Sequence, residues 1–200
     1  MTKFSADVAR YRANGDHGKE LWLNPAVWAI AGYRMRNWVN VARPSFPISI
    51  PLKLILFFAN KFCEVFMEMD ISPRASIGDG LYIGHIGGVH ISEHAVIGRN
   101  CDIAHRVTIG MSAMGRQGAP MLGDNVYVGT GATLIGKIRV GSGAKISANT
   151  LVIDDVPDGA TVMGVPGRIV LGGPKATQSP LLDTAIEQID SAPGSLASIN

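Results

Sequence analysis

From Asp70 to about Val170 an aliphatic residue returns at every sixth position. Ile71, Ile77 and Ile83 open the series, and Ile91, Ile97, Ile103 and Ile109 continue it. From Leu122 the register runs on through LGDNVY, VGTGAT, LIGKIR, VGSGAK, ISANTL and VIDDVP. Small residues follow most of these positions, and aromatic residues nearly vanish. Two departures interrupt the period: a two-residue shift at GHIGGVHI, between Ile83 and Ile91, and a longer insertion, GMSAMGRQGAPM, before Leu122. A six-residue period predicts a parallel β-helix, in which each hexapeptide makes one short strand and a turn and three of them make a coil. The aliphatic side chain points inward, and glycine permits the tight corners. A β-sandwich would instead show period-two alternation and wider turn spacing. The stretch GTGATLIG looks like a dinucleotide-binding glycine loop, but it leads into a hexapeptide strand where such a loop needs a helix.

Residues 1–69 follow a helical pattern. SADVARYRAN is one predicted helix, and NPAVWAIAGYRMRNWVNVA, opened by an Asn-Pro start, is a second. A proline-rich break, RPSFPISIP, leads into the most apolar run of the chain, PISIPLKLILFFANKFCEVFMEM, residues 47–69. Lys53, Asn60, Lys61 and Glu64 interrupt this run, so it lacks the roughly eighteen uninterrupted apolar residues of a spanning helix. It is predicted as a packing helix, the alternative being contact with a membrane surface through residues 47–69. Residues 171–200 are polar and rich in small residues, with one short amphipathic segment, LLDTAIEQI, and are expected to form a partly disordered tail. Three regions result: a helical N-terminal region over 1–69, a β-helix over 70–170 and the tail over 171–200.

Composition narrows the functional classes. With 200 residues and 46% hydrophobic positions the chain can bury one core. A formal net charge of +2, scattered along the sequence, supplies no polybasic block for nucleic acid. Cys63 and Cys101 lack metal-site or redox spacing, and no signal-peptide pattern is present, so free thiols in a cytoplasmic protein are expected.

The segments DISPRASIGDGLYIGH, HISEHAVIG, VTIG and VGTGATLIGKIRVGSGAKISANTLVIDDVPDGATVMGVPGRIV resemble the left-handed β-helix acyltransferases, most closely serine acetyltransferase and its relatives. The resemblance covers about half the chain, with a weaker echo at AIAGYRMRNW. It implies a mainly β fold, a left-handed parallel β-helix with an α-helical cap. It also implies a homotrimer, possibly paired into a dimer of trimers, that binds acetyl-CoA in a groove between subunits.

The same resemblance implies that His85 removes the proton from an acceptor hydroxyl and that Asp70 orients it. The chemistry is independently sensible: a hydroxyl is a weak nucleophile near neutral pH, and a positioned imidazole with a carboxylate behind it is the usual remedy. Asp70 and His85 lie fifteen residues apart, nearly one eighteen-residue coil, which predicts that they meet on neighbouring coils. Glu93, His105, Arg116 and Gln117 are candidates for the acceptor. Thr130, Lys145, Ala148 and Arg168 match the acetyl-CoA groove, Arg168 facing the phosphates. His90 and His94 read as solvated turn residues. Three nearby histidines raise the thought of zinc, but no short paired spacing supports it, and no metal is predicted.

Departures from the family's pattern shape the functional expectation. Serine acetyltransferases carry an aspartate before the catalytic histidine, where this chain has Gly84, and an arginine-histidine-proline run where it has Gly118, Ala119 and Pro120. By the resemblance, those absent residues contact the amino and carboxylate groups of serine or assist the chemistry. Their loss should cost recognition of a charged acceptor, since charge-assisted hydrogen bonds contribute about 1.5–3 kcal/mol each. The expectation is therefore acetyl-CoA-dependent O-acetylation of a sugar or polysaccharide-precursor hydroxyl. Serine O-acetylation is the alternative, as is a non-catalytic β-helix assembly module. A carbonic-anhydrase-like protein would need a histidine triad that the repeat does not place.

Overall fold

The computed structural model describes residues 2–42, 49–113 and 115–170. The hexapeptide register becomes a mainly β solenoid of about five turns with a helical N-terminal region. Each of the first four coils contributes one strand to each of three sheets, and the last reaches the second sheet only through an isolated bridge between Val140 and Val156. The first sheet stacks β1 (Met69–Ile71), β4 (Val89–Ile91), β7 (Thr108–Gly110), β10 (Thr133–Ile135) and β13 (Leu151–Val152). The second stacks β2 (Ser76–Ile77), β5 (Val96–Ile97), β8 (Met121–Leu122) and β11 (Arg139–Val140). The third stacks β3 (Tyr82–Ile83), β6 (Asp102–Ile103), β9 (Tyr127–Val128), β12 (Lys145–Ile146) and β14 (Thr161–Met163). It ends on β15 (Arg168–Val170), which turns back antiparallel on β14.

The repeated aliphatic position is the core. Ile71, Ile83, Ile91, Ile103, Ile109, Val128 and Ile146 are buried, and a second inward row two residues earlier holds Ala75, Leu81, Ala95, Cys101, Val107 and Ala132. Stacking identical positions lets each side chain bury against its copy above and below, worth about 1.5–3 kcal/mol for each large aliphatic residue removed from water. Corners need left-handed backbone. Asn100, Asn125 and Asn149 adopt it with φ near +55°, and Gly131 reaches φ +71° where a side chain would run into Asn149.

Four helices precede the solenoid: α1 (Lys3–Ala13), α2 (Gly18–Leu23), α3 (Pro25–Ala42) and α4 (Ser49–Phe66). Helices α1 and α3 lie where the sequence predicts them; α2 is an addition. No helix of the described residues is long and apolar enough to cross a membrane. The residues 43–48 of the proline-rich break and the tail 171–200, LLDTAIEQI included, lie outside the described residues.

Helices α1 and α3 close the first coil, whose strand edges would otherwise present unpaired backbone groups. Arg34 holds Asp7 through two contacts of 2.8 and 3.0 Å and donates to the carbonyls of Ile77 and Gly78. Asp7 in turn accepts the Leu81 amide at 2.9 Å. The Tyr11 hydroxyl both donates to and accepts from the backbone of Ile83, Tyr33 donates to the Ala75 carbonyl, and Arg36 donates to that of Ile71. The cap therefore supplies side-chain partners to all three sheets of the coil that carries Asp70 and His85.

Candidate active site

The two-residue shift at GHIGGVHI lengthens the first coil. Asp70 pairs in register with His90, twenty positions on, whereas His90 pairs with Thr108, eighteen on. The extra residues are taken up in the turn Gly84–Gly88, where Gly87 and Gly88 have φ +106° and +66°. This lengthening redistributes the histidines.

His85, just after β3, stacks on His105, just after β6. Their rings are 5.8 Å apart between centroids, edge to face. The backbone ladder carries the same column onward, because Gly84 donates to Ile103, Ala104 to Val128 and Gly129 to Ile146. His85, His105, Thr130 and Ala148 therefore occupy equivalent places on four successive coils, at the corner between the third sheet and the first. Four residues that the sequence singles out for three different tasks share one column. The Nδ1 atom of His105 is buried there without a hydrogen-bond partner, the kind of buried polar atom that calls for an explanation.

Asp70 is paired with His90 rather than with His85. Its Oδ2 lies 3.0 Å from Nδ1 of His90, and Asp70 and His85 share no hydrogen bond or ion pair. The reason is the twenty-residue coil: the residue stacked on Asp70 is the one twenty positions ahead, five beyond His85. His90 is correspondingly no turn residue but the outward side chain of β4, between buried Val89 and Ile91. Alternation around Val89-His90-Ile91 and a count of the longer coil were the signals that could have found it.

The remaining candidates separate by corner. Glu93 sits after β4, where Arg74 Nη1 approaches it at 2.9 Å and His94 Nε2 lies at 3.4 Å. Arg116 and Gln117 are in the inserted loop after β7, whose Ser112 and Gly118 form an antiparallel bridge. Arg116 pairs with Asp155 at 3.0 Å, and Gln117 donates to the Ala113 carbonyl at 3.4 Å. All three lie at the corner leading from the first sheet to the second, away from the His85 column within one chain. Lys145, on β12, and Arg168, on β15, both face outward on the third sheet, beside the Ala148 end of the column.

Electrostatics removes one competing chemistry. Cys63 and Cys101 are free, and burial pushes both thiols up, so neither offers the thiolate a cysteine nucleophile requires. Among the described residues no three His, Cys, Asp or Glu side chains group as metal ligands.

No protein-family model matches the chain. It is 36% identical over 151 residues to serine acetyltransferase of Mycobacterium tuberculosis, an alignment covering 75% of this chain and 62% of that protein. Among solved structures, Neisseria gonorrhoeae serine acetyltransferase in complex with serine superposes with a TM-score of 0.69 at 32% identity, over 84% of this chain and 68% of that one. A serine acetyltransferase in complex with CoA gives a TM-score of 0.68 at 32% identity, again over 84% of this chain and 68% of that one. The chain thus spans about three fifths of the length of the first of these relatives. These findings overturn the expectation of a sugar or polysaccharide acceptor: the relatives are named for serine, so Gly84, Gly118 and Ala119 do not mark a carbohydrate enzyme. Sequence, solenoid and relatives agree that the chain belongs to the serine acetyltransferase-like family of hexapeptide-repeat acyltransferases.

Proposed function

We propose that this protein transfers the acetyl group of acetyl-CoA to the hydroxyl of L-serine, with the His85 column as its active site. The observation that carries this reading is the column itself: an imidazole pair at one end and small or hydroxyl-bearing residues, Thr130 and Ala148, along the rest. An extended pantetheine arm needs such a narrow track beside backbone amides, ending at the base. The named serine acetyltransferases, one holding serine and one holding CoA, support both substrates.

In this reading His85 takes the hydroxyl proton as the serine oxygen attacks the thioester carbonyl. The carbon–sulfur bond then breaks, and the proton passes to the departing CoA sulfur. A general base of this kind contributes typically 10²–10⁴-fold. His105 steadies the His85 ring through its edge-to-face packing, and its buried Nδ1 gains a partner when the acceptor or its water arrives. Lys145 and Arg168 are the residues assigned to the nucleotide phosphates of CoA, a role supported by their exposed positions on β12 and β15. Assembly as a trimer, forming the CoA groove between subunits, brings the loop carrying Arg116 and Gln117, together with Glu93, against the His85 column of the neighbour. The setting is the cytoplasm, where Cys63 and Cys101 stay reduced.

The test is release of CoA thiol with L-serine as acceptor. Wild-type protein is expected to turn over, and His85→Ala to lose at least a hundredfold in kcat while still binding acetyl-CoA. Absence of serine-dependent thiol release from folded, CoA-binding wild-type protein would sink the reading.

A further inference from the structure

We infer that helices α3 and α4 form a docking surface for an anionic phospholipid bilayer. Lipid phosphates would enter a basic groove between the two helices, and acyl chains would lie against an adjoining apolar one. The pattern of α4 is the starting point. Leu56 and Cys63 turn toward α3 and are half-buried, yet Leu54, Ile55, Phe58, Phe62, Val65 and Phe66 are 52–71% exposed. A helix apolar on every side is at home in a core or in lipid, and one side of α4 has no core to face. No helix of the described residues is long and apolar enough to cross a membrane, so the contact is one along the surface.

Two grooves along the crevice between α3 and α4 divide by chemistry. One, of about 330 Å³, has Arg36 and Asn40 of α3 and Lys53, Asn60 and Lys61 of α4 in its walls. It holds three cations, and among the described residues no carboxylate lines it; Glu64 beside it is taken by Lys61 and Asn60. The other, of about 530 Å³, has Trp28, Met35, Phe62 and Met67 in its walls. Arg36, Leu56 and Asn60 border both, so a cationic end and an apolar end adjoin within one crevice. A phospholipid divides in the same way, phosphate beside acyl chain. Trp28 and Trp38 are exposed on α3, and indole rings favour the depth of the headgroups. The long stems of Lys53 and Lys61 let the apolar face sink while their ammonium groups stay with the phosphates. Charge along the chain points the same way. Residues 1–69 hold nine Lys and Arg against five Asp and Glu, a net +4, whereas residues 70–200 hold nine against eleven, a net −2. An anionic surface therefore attracts the helical region first. A second copy of the chain suits the patch less well. An isologous contact sets a patch against itself, and here it would bring Arg36, Lys53 and Lys61 toward their own copies.

The experiment mixes the full chain with vesicles of phosphatidylcholine, with and without phosphatidylglycerol. Binding is read by co-sedimentation and by the fluorescence of Trp22, Trp28 and Trp38, the three tryptophans of the chain. Affinity for the phosphatidylglycerol vesicles is expected to exceed that for phosphatidylcholine alone by at least about tenfold, to fall as salt is raised, and to come with a blue shift of the emission. Lys53→Gln combined with Lys61→Gln should remove at least about tenfold of that affinity. Phe58→Glu should bring binding below detection. All three positions are exposed, and circular dichroism checks that the variants fold. Excess soluble glycerol phosphate should not compete, because a bilayer engages the apolar face as well. Absence of binding by folded wild-type protein would overturn the inference, as would equal binding to both kinds of vesicle, which leaves the basic groove without a part. Competition by glycerol phosphate would overturn it by making the groove a site for a free phosphate ester. A fall in the mass of the lipid-free protein on Phe58→Glu, measured by analytical ultracentrifugation, would overturn it too, since a second copy would then cover this face.

Discussion

Arg106 follows His105 directly and holds φ at +58°, a left-handed conformation that Gly88, Gly131 and Asn149 supply at the neighbouring places of its column and that Glu68 shares. A long side chain there costs about 1–2 kcal/mol. Its stem lies over Gly88, where an added Cβ would sit 3.1 Å from Arg106 Cγ and where φ is +66°. Two changes separate the causes: Arg106→Gly is expected to raise stability by about 1 kcal/mol in denaturant titration, whereas Gly88→Ala should lower it and displace the turn that carries His85. Tyr11 makes a second residue-scale prediction. Burial raises its phenol pKa above the ordinary 10.0, so below pH 10 both folded and unfolded chains hold the proton. As pH climbs past 10 the unfolded chain releases it first, and stability falls until the folded phenol ionises as well. Tyr11→Phe, which also strands the Ile83 amide and carbonyl, should start about 1–3 kcal/mol less stable but lose less on going from pH 9 to pH 11, measured by urea unfolding at each pH.

Single elements were legible in the sequence to different depths. The six-residue period yields the strands, their inward residues and the three-sided coil, because stacking repeats the same burial at the same position. Only the backbone ladder aligns His85, His105, Thr130 and Ala148 as one column; the period leaves them in three separate roles. It misplaces the partner of Asp70, since an eighteen-residue coil was assumed where the Gly84–Gly88 turn makes it twenty. The way the helices close the first coil was not legible at all. Contacts such as Arg34 to Ile77 and Tyr11 to Ile83 span 43 and 72 positions, and nothing local in α1 or α3 announces them. That closure is open to direct test through Asp7 and Arg34, whose side chains are 1% and 9% exposed. Removing one partner of a buried pair leaves an uncompensated charge, which costs about 3–5 kcal/mol. Asp7→Ala should therefore lower the unfolding free energy by about that much, while the paired replacement of Asp7 and Arg34 by apolar residues should recover a large part of it in a double-mutant cycle.

At the scale of the whole molecule the site candidates fall at two different corners. His85 and His105 stand between the third sheet and the first, whereas Glu93, Arg116 and Gln117 stand between the first and the second. One chain cannot bring these two corners together, since the solenoid holds each at its own edge. A cyclic assembly can, because a heterologous interface sets one edge of a subunit against a different edge of the next. A heterologous interface of this kind has a quantitative consequence. His85→Ala and Arg116→Ala should each suppress serine acetylation when expressed alone. Co-expressed in equal amounts, they should assemble at random, and about one quarter of the interfaces should pair an intact His85 with an intact Arg116. Recovery of about a quarter of wild-type activity would place the acceptor site across the interface. Activity no greater than that of the two variants measured separately would place it within a single chain, leaving Arg116 to its pairing with Asp155 and the inserted loop to a structural role.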